Sequence, residues 1–450
     1  MSDVDAGTHR GARKRTASRS ERTVTHAKPG RRRAAGRSDE ATRRAEVLQA
    51  ANVVIAQHGI GTSLQQIADA SGILVGSLYH HFKSKDALHA ELNQHYIADL
   101  DRIGDASTAK LARSDAPPVD EQIMELSRDI ARCAVKHQAA LQMSFLEGRS
   151  KNIGTAEKTE GNGSAIGAAM LQLLREGRRS GYIRADLDLA TVADRICQSV
   201  LHVGLDVIRH DAPTDEVAEV LCQIHLEGLA GHDTTYADLD GSRAFAVADG
   251  VVKSWIDENE ADDDNTSRVR IAARTEFSRK GFEVTTIRDI ASAAGLPPGT
   301  VYRHLGSKDE MLKSIMLTFT QKVGDAWADI MRADSSPTEK LDALCWLNIN
   351  ALQRFPDEFG IQLAWMRHSP PEIAEPMWAF DARVREMSAL LSEGIELGDL
   401  VVKTPRVDIL TRCAIGVLWI PPNIVRELGT RASLIHSRDT VLRGVAIRRP

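Results

Sequence analysis

Apolar residues recur at helical spacing along most of this chain, and no stretch alternates as a strand would. The apolar segments at residues 47–59 and 269–281 each end in a glycine, which is typical of a helix C-terminus. Each is followed by a short amphipathic segment, a second glycine and another short apolar segment. The pattern predicts an all-α protein in which a group of three short helices occurs twice.

The second group of helices is a copy of the first. Residues 62–86 align without a gap with residues 285–309, and 11 of these 25 positions are identical. In the first copy, Leu78 and Phe82 lie four residues apart on one helix face, beyond a turn that Gly72 permits. Two short helices around a glycine turn form a helix-turn-helix, so the repeat predicts two of them.

The starts of the predicted helices differ in how well they are capped. Pro298 stands near a first helical position, where its missing N–H costs nothing. Leu74 and Pro297 precede the second helix of each unit, and neither side chain can accept a hydrogen bond from the helix N-terminus. Asp86 and Asp309 are predicted to be the N-caps of the helix that follows.

These features together resemble the tetracycline-repressor (TetR) family of transcriptional regulators. The shared pattern is an apolar helix closing in a glycine, Thr-x-x-x-x-Ile-Ala before the glycine turn, Gly-x-x-Tyr-x-His, and Ser-Lys-Asp. The resemblance implies an all-α fold of two tandem units. Each unit would have a three-helix DNA-binding head and a larger helical bundle for ligand binding and dimerisation, and the units would pack as an intramolecular pseudo-dimer.

The resemblance also implies which residues contact DNA. The helix that carries Tyr79 or Tyr302 would lie in the major groove, while Lys85 and Lys308 would grip phosphate. The full predicted set is Ser63, Gln65, Gly76, Ser77, Tyr79, His80, His81, Lys85, Thr286, Arg288, Gly299, Thr300, Tyr302, Arg303, His304 and Lys308. The two copies differ at Gln65 and Arg288, Val75 and Pro298, and His80 and Arg303, so we expect half-sites that are not perfect inverted repeats.

The repeat and the composition together predict the domain organisation. A run of acidic residues after a probable helix suggests a linker between the halves. The predicted segments are a disordered basic tail at 1–39, the first head at 40–100, its helical domain at 101–232, the acidic linker at 233–263, the second head at 264–324 and its helical domain at 325–450.

The family's helical domains are expected to supply a dimer interface and an effector pocket. The interface is placed at residues 189–208 with 214–229, and at 407–420 with 437–447. The resemblance suggests a small apolar effector, lipid-like or sterol-like, although aromatic residues at helical spacing are more often simple core. The pocket candidates are Trp346, Phe355, Trp365, Met366, Trp378, Phe380 and Trp419, with Cys133, His137, Met143 and Phe145 as weaker ones.

The charge of the chain is unevenly distributed. The net charge is −5, yet residues 10–37 carry 11 Lys or Arg against the single acid Glu21. Such a segment is too polar to form a core and is expected to contact nucleic acid, with a solubilising or targeting tail as the alternative. Five scattered cysteines predict buried thiols in a reducing cytoplasm, and the absence of a long apolar run or secretion signal predicts a cytoplasmic protein without a membrane span.

Enzymatic, cofactor and metal sites are not predicted. The glycines of residues 161–167 are displaced from a dinucleotide-binding pattern, and His89 and His95 lack the spacing of a helical zinc site. The sequence therefore predicts a repressor with two non-identical heads on one double-stranded DNA operator, released by the effector. In the alternative hypothesis one head binds DNA and the other half senses an effector or oligomerises; further homodimerisation of the chain is open.

Overall fold

A computed structural model describes residues 30–59, 61–143, 164–210, 212–232, 234–257, 264–367, 380–404 and 406–448. Contacts divide the chain into residues 1–46 and residues 47–450. Over the described residues the structure is helical, with two isolated β-bridges and no strand, which confirms the all-α prediction. In the first of these units, Arg43 and Glu46 form an exposed ion pair at 2.9 Å.

Within residues 30–59, 61–143, 164–210 and 212–232, the first half contains eight named helices, and residues 138–143 are also helical. They are α1 (Gly30–His58), α2 (Leu64–Ala70), α3 (Val75–His81), α4 (Lys85–Leu111), α5 (Val119–Lys136), α6 (Ala165–Arg179), α7 (Leu189–His210) and α8 (Thr214–Glu227). Helix α5 packs against α4, α6, α7 and α8, so it lies at the centre of the first bundle.

Over the part of the second half that the structure describes, two helices precede the head and ten form the head and the bundle. They are α9 (Tyr236–Gly241), α10 (Arg243–Asp257), α11 (Asn265–Lys280), α12 (Ile287–Ala294), α13 (Pro298–Leu305), α14 (Lys308–Arg332), α15 (Pro337–Arg354), α16 (Pro356–Arg367), α17 (Phe380–Glu396), α18 (Val407–Val417), α19 (Pro422–Leu428) and α20 (Thr430–Ser437). A π-helical turn, Arg438–Leu442, continues α20.

Helix α1 begins earlier than the sequence pattern predicts. It starts at Gly30, so residues 30–39, which were assigned to the disordered tail, are helical. Alanine and arginine are among the better helix formers, which accounts for the extension through an arginine-rich and alanine-rich stretch. The remainder of the predicted tail, residues 1–29, lies outside the described residues.

The predicted linker contains a helix that belongs to the second core. Helix α10 packs against α14 and α15. Its apolar residues Phe245, Val252 and Trp255 are buried in the same hydrophobic cluster as the rest of the second half. The probable helix predicted within residues 233–263 is therefore present, but it belongs to the second core, because the acidic run follows the helix and leaves its apolar face to be buried. Residues 258–263 of that run lie outside the described residues.

The helices that follow the two heads are capped by serines. The Ser84 hydroxyl accepts a hydrogen bond from the Ala87 N–H at 3.1 Å, and the Ser307 hydroxyl accepts one from the Glu310 N–H at 3.2 Å. The prediction that Asp86 and Asp309 are the N-caps was wrong by two residues. Both aspartates lie in the first helical turn instead, where their charge still favours the helix N-terminus.

The hydrophobic cores of the two halves share elements. Val217, Leu221 and Ile224 of α8 belong to the cluster formed mainly by the second half, whereas Val445 and Ala446 near the C-terminus belong to the first-half cluster. Backbone hydrogen bonds also join the two halves: the Leu229 N–H donates to Val441 O at 2.8 Å, and the Val445 N–H donates to His225 O at 3.0 Å. The halves therefore contact each other through packed side chains and backbone pairing.

The contact between the halves is less symmetric than predicted. Helix α18 of the second half packs against α7 and α8. However, the prediction of a long helix at 437–447 is wrong: the π-helical turn ends at Leu442, Gly444 has φ +79°, and Ala446 forms a bridge with Ile183. Pro421 and Pro422 follow α18, and their rings and missing N–H groups account for its end where the first-half helix continues.

A buried polar cluster lies where the halves meet. Arg195 is 1% exposed and donates to the carbonyls of Trp419, at 2.6 Å, and Val417, at the C-terminal end of α18. His225 is fully buried between Ser199 Oγ at 2.9 Å and Thr440 O at 3.1 Å. Burial, assisted by the charge of Arg195, lowers the pKa of His225 to about 3, so the imidazole is neutral near pH 7.

Candidate nucleic-acid interface

The first head is fixed by a capped helix and a glycine turn. The Ser63 hydroxyl accepts from the Gln66 N–H at 3.2 Å, and the Gln66 side chain accepts from the Ser63 N–H at 2.8 Å, which forms a capping box. Gly72 has φ +65°, a conformation that suits glycine, between α2 and α3. Leu78 and Phe82 are 0% and 1% exposed and anchor α3 through its apolar side.

The second head repeats this construction with different residues. Thr286 and Asp289 form the capping box of α12, and Gly295 ends that helix with φ +66°. Helix α13 begins at Pro298, as predicted, and Val301 is its fully buried anchor. Neither α3 nor α13 has a side-chain hydrogen bond at its N-cap, as expected from the residues there.

The outward sides of α3 and α13 carry equivalent tyrosines. Tyr79 is 53% exposed and Tyr302 is 57% exposed. Gly76 and Gly299 lie one turn before them, and a Cβ atom built on either glycine would meet nothing within 4 Å. Neither glycine has a positive φ. The protein itself therefore does not require glycine at these two places, which leaves the outer surface of each helix open to close approach.

Most of the predicted DNA-contacting residues lie on the surface. Five are only partly exposed: His81, Lys85, Thr300, His304 and Lys308. The exposed ones are Ser63, Gln65, Gly76, Ser77, Tyr79, His80, Thr286, Arg288, Gly299, Tyr302 and Arg303. The structure therefore brings together exposed donors, acceptors and a phenol on each head, which is the chemistry that base edges and phosphates require.

Lys308 makes contacts within the protein that the sequence did not predict. Its ammonium donates to the carbonyls of Phe282 at 2.8 Å, Thr285 at 3.2 Å and Glu283 at 3.3 Å. The same Nζ atom lies 4.4 Å from the centre of the Phe282 ring. The predicted phosphate contact would need this lysine to leave those partners, because its donors face the protein. In the first head, burial lowers the pKa of Lys85, the equivalent residue.

The heads differ in their internal ion pairs. In the second head, Lys280 lies 2.7 Å from Asp289 and 2.9 Å from Glu276. The Lys280 ammonium holds the pKa of Asp289 well below its usual range. The position of Asp289 corresponds to Gln66 in the first head, and that of Lys280, which directly precedes the glycine at the helix end, corresponds to His58. The second head also ties its recognition helix to α11 through Thr266 Oγ1 and His304 Nδ1, which are 3.0 Å apart.

Comparison with known proteins gives the family. The profile of the family described as bacterial regulatory proteins, tetR family, matches residues 47–92 and again residues 271–315. The uncharacterized HTH-type transcriptional regulator YfiR of Bacillus subtilis is 30% identical over 142 residues, which cover 30% of this chain and 68% of YfiR. The chain belongs to the TetR family. The family profile matches the two heads that the repeat predicts.

Two further relatives carry the name HTH-type transcriptional repressor KstR2. That of Mycolicibacterium smegmatis is 33% identical over 81 residues, which cover 18% of this chain and 40% of KstR2. That of Rhodococcus jostii is 28% identical over 200 residues, which cover 43% of this chain and 94% of that protein. The TetR-family chain thus spans about two fifths of the length of the first relative. It spans nearly the full length of the second relative, and the matched part is less than half of this chain.

Three described pocket candidates of this TetR-family chain, Trp346, Phe355 and Trp419, belong to or pack against one hydrophobic cluster of the second half. Trp346 contacts Phe245 of α10, at 5.7 Å between ring centres. Phe355 contacts Trp255 and Phe319, and Trp419 stacks on Phe359 at 4.7 Å. In the first half Met143 is buried, whereas Cys133 and His137 lie beside Asp99. The whole of Trp378 and Phe145, and the side chains of Trp365, Met366 and Phe380, lie outside the described residues.

Among the described residues, no single helix is both long and apolar enough to cross a membrane. One bent pair, Val407–Val417 with Pro422–Leu428, is long and apolar enough by length and composition alone.

Proposed function

We propose that this TetR-family chain is a transcriptional repressor whose two heads bind one operator in double-stranded DNA. The matched exposure of Tyr79 and Tyr302, 53% and 57%, carries the proposal, because each tyrosine projects from a helix whose apolar side is buried. An exposed phenol beside hydrogen-bonding side chains suits phosphates and base edges. The name of KstR2, a repressor, supports the direction of regulation.

We further propose that the two halves act as an intramolecular pseudo-dimer. Helix-turn-helix dimers place their recognition helices about 34–36 Å apart to meet successive major grooves. The contact of α18 with α7 and α8, together with the backbone bonds between Leu229 and Val441 and between Val445 and His225, supports this role. Light scattering is expected to give the mass of one chain, 49.2 kDa. A stable particle of twice that mass would favour a homodimer with four heads instead.

The operator is proposed to have two unlike halves. The second head exposes Arg288 and Arg303 where the first head has Gln65 and His80. Arginine pairs best with guanine and glutamine with adenine, because each side chain presents the matching donors and acceptors to the major groove. We therefore expect one half-site to be richer in guanine contacts than the other.

Footprinting with single-head variants tests this proposal. The DNA is a genomic fragment selected by binding, and the variants are Tyr79→Ala and Tyr302→Ala. Each variant is expected to lose protection over one half of the site, and the two are expected to weaken binding unequally. Tyr236→Ala is the matched control, since Tyr236 bonds to Asp439 away from the heads. Equal losses on a strictly palindromic site would contradict two distinct heads.

A second candidate function assigns DNA binding to one head only. The observation in its favour is that the second head exposes two arginines, whereas the first exposes neutral residues at the same places. The first half would then sense an effector or support oligomerisation. Abolished binding in Tyr302→Ala with unchanged binding in Tyr79→Ala would establish this alternative.

The effector is proposed to be small and apolar, lipid-like or sterol-like. The aromatic groups around Phe355 and Trp419 supply apolar surface of the kind that encloses such ligands. A long-chain fatty acid and a sterol ketone serve as probes in a tryptophan-fluorescence titration. A saturable change that is lost in Trp419→Phe, with DNA release at the same concentration, would support the proposal. Retention of DNA at saturating concentrations of both probes would contradict it.

The basic N-terminal segment is proposed to add phosphate contacts. Its 11 Lys or Arg residues between positions 10 and 37 would steepen the salt dependence, by about 0.9 in the log–log slope per phosphate neutralised. Deletion of residues 10–28 is expected to lower this slope while the footprint keeps its position. An unchanged slope would assign the segment to solubility or targeting.

A further inference from the structure

Three side chains able to bind a metal ion meet in the first-half bundle. Asp99 lies on α4, Cys133 lies in the last turn of α5, and His137 follows that helix directly. Their ligand atoms all lie within 4.8 Å of one another, and His137 Nε2 is 2.7 Å from Asp99 Oδ2. We propose that these three side chains form a binding site for a zinc-class divalent cation, with the fourth position open to water or another ligand.

The donor set matches the chemistry of zinc. Thiolate, imidazole and carboxylate bind Zn²⁺ at about 2.0–2.3 Å, and sites with three protein ligands keep a fourth position open. In a tetrahedral site those bond lengths place the donor atoms about 3.3–3.6 Å apart. The His137 and Asp99 atoms would therefore separate by roughly half an ångström, and Cys133 Sγ would approach them by about 1 Å at most. Side-chain rotation covers such distances.

The backbone presents two of the ligands together. Cys133 and His137 are four residues apart, and the His137 N–H donates to Cys133 O at 3.0 Å, so both side chains leave the same side of the helix end. Helix α4 packs against α5 and brings Asp99 opposite them. The side chains of Asp99 and His137 are 14% and 12% exposed. The cluster is therefore shielded, but it remains open at one side.

Two exposed cations lie against the Asp99 carboxylate. Lys136 Nζ lies 2.7 Å from Asp99, and an Arg102 guanidinium nitrogen lies 2.6 Å from it. Lys136, His137 and Arg102 together hold the pKa of Asp99 far below its usual range, so the carboxylate is ionised. The Lys136 and Arg102 side chains are 67% and 73% exposed, and moving them into water costs little. A divalent cation can therefore replace them.

Coordination replaces the proton of the Cys133 thiol. The S–H bond breaks, the sulfur keeps the electron pair as the new ligand, and the proton passes to solvent.

The second half lacks these ligands. Helices α5 and α15 both have 18 residues, and His137 and Phe355 are their C-caps, with φ of −111° and −125°. Counted along the same helices, Cys133 corresponds to Ala351. Counted from the starts of α4 and α14, Asp99 corresponds to Lys322. The site is thus a property of the first half alone, and its absence from the copy indicates that the bundle fold does not need these three residues.

Cobalt binding by the full chain tests the proposal. Reduced protein freed of metal with a chelator is titrated with Co²⁺, then with Zn²⁺. One equivalent of Co²⁺ is expected to produce a thiolate-to-cobalt charge-transfer band, which Zn²⁺ abolishes. Cys133→Ser is expected to lose the band, whereas Cys197→Ser, which changes another buried first-half cysteine, keeps it. His137→Gln is expected to weaken binding by at least about tenfold. Circular dichroism confirms that each variant is folded.

A fourth variant distinguishes a metal site from a purely structural ion-pair cluster. Lys136→Met removes a competitor for Asp99, so it is expected to bind Co²⁺ more tightly than the unmodified protein does. A merely structural cluster would give no stoichiometric band in any variant, and that result would overturn the proposal. A band that persists in Cys133→Ser would also overturn it, because the thiolate would then come from elsewhere.

Discussion

Lys308 donates to the backbone carbonyl of Phe282 at 2.8 Å while its ammonium lies 4.4 Å above the ring of the same residue. One side chain thereby holds both the backbone and the ring of Phe282. The carbonyls of Glu283 and Thr285 complete its partners. The lysine thus closes the segment between α11 and α12, immediately ahead of the second helix-turn-helix.

Replacing Lys308 with methionine is expected to destabilise the second head without changing its salt response. The loss of charged hydrogen bonds should cost about 1–2 kcal/mol, since the lysine is only partly buried. Chemical denaturation gives the stability, and gel shifts at several salt concentrations give the slope. Lys253→Met is the control, because Lys253 makes an exposed ion pair with Asp249. A slope lowered by about 0.9 would instead identify Lys308 as a phosphate contact.

Alanine at Gly76 or Gly299 is expected to increase the stability of the fold and to weaken DNA binding. Each glycine is helical and has open space where a Cβ would lie, so alanine should stabilise the fold by about 0.4–1 kcal/mol. If DNA approaches this surface, the same methyl group should weaken operator binding. Gly250→Ala, in the exposed side of α10, is expected to stabilise without affecting DNA. Unchanged binding in both head variants would exclude close approach at these glycines.

Two histidines at the junction of the halves, the buried His225 and the half-buried His436, are expected to make stability depend on pH. Burial, and then Arg195, lowers the pKa of His225 and of His436 to about 3. The unfolded chain, with histidine pKa values near 6.5, therefore binds more protons between about pH 3 and 6.5. The free energy of unfolding should therefore reach its full value above about pH 6.5. It should fall as the pH decreases from there towards pH 3, by up to about 1.4 kcal/mol per pH unit for each histidine.

Urea denaturation between pH 5 and 8 measures this slope. His225→Gln and His436→Gln should each reduce it, whereas His95→Gln, an exposed histidine, should not. A slope that is the same in all three variants would show that other groups carry the dependence.

Removing one partner of the buried ion pair between Arg438 and Asp342 is expected to destabilise the fold strongly, whereas replacing both partners with apolar residues should destabilise it less. Their side chains are 1% and 0% exposed, with two hydrogen bonds at 2.7 and 2.8 Å. Burial raises the pKa of Asp342 although Arg438 opposes the shift. Asp342→Ala should cost about 3–5 kcal/mol, because the arginine stays buried without this partner.

The double variant Asp342→Leu with Arg438→Met should cost less than Asp342→Ala alone. Asp329→Ala, which breaks an exposed pair with Arg332, should cost under about 1 kcal/mol. Equal losses from the buried and exposed pairs, measured by denaturation, would contradict this account.

The heads were predictable from the sequence in most of their details. The glycine turn at Gly72, the proline start of α13 and the weak capping at Leu74 depend on residues within a few positions of one another. The position of Lys308 was not predictable in the same way. The motif Ser-Lys-Asp contains no signal that the lysine would find carbonyls more than twenty residues earlier in the chain rather than a phosphate.

The contacts at the junction of the halves and in the candidate metal cluster could not be predicted from the sequence. Cys133 and His137 have helical ligand spacing, which could have drawn attention to them, but their third partner Asp99 lies on a different helix. Likewise, the apolar face of α10 was visible, whereas the helices that bury it were not. Pairings of this kind depend on how whole helices pack.

The sequence by itself determined that the protein is helical and carries two TetR-type heads, because periodicity, caps and glycine turns act over a few residues. Only the tertiary structure decided that Val445 packs into the first-half core while Val217 packs into the second, and that Arg195 reaches the end of α18. The contacts of Arg195 with Trp419 and of Val445 with His225 join residues more than two hundred positions apart. Their partners are selected by shape and burial, which no local pattern records.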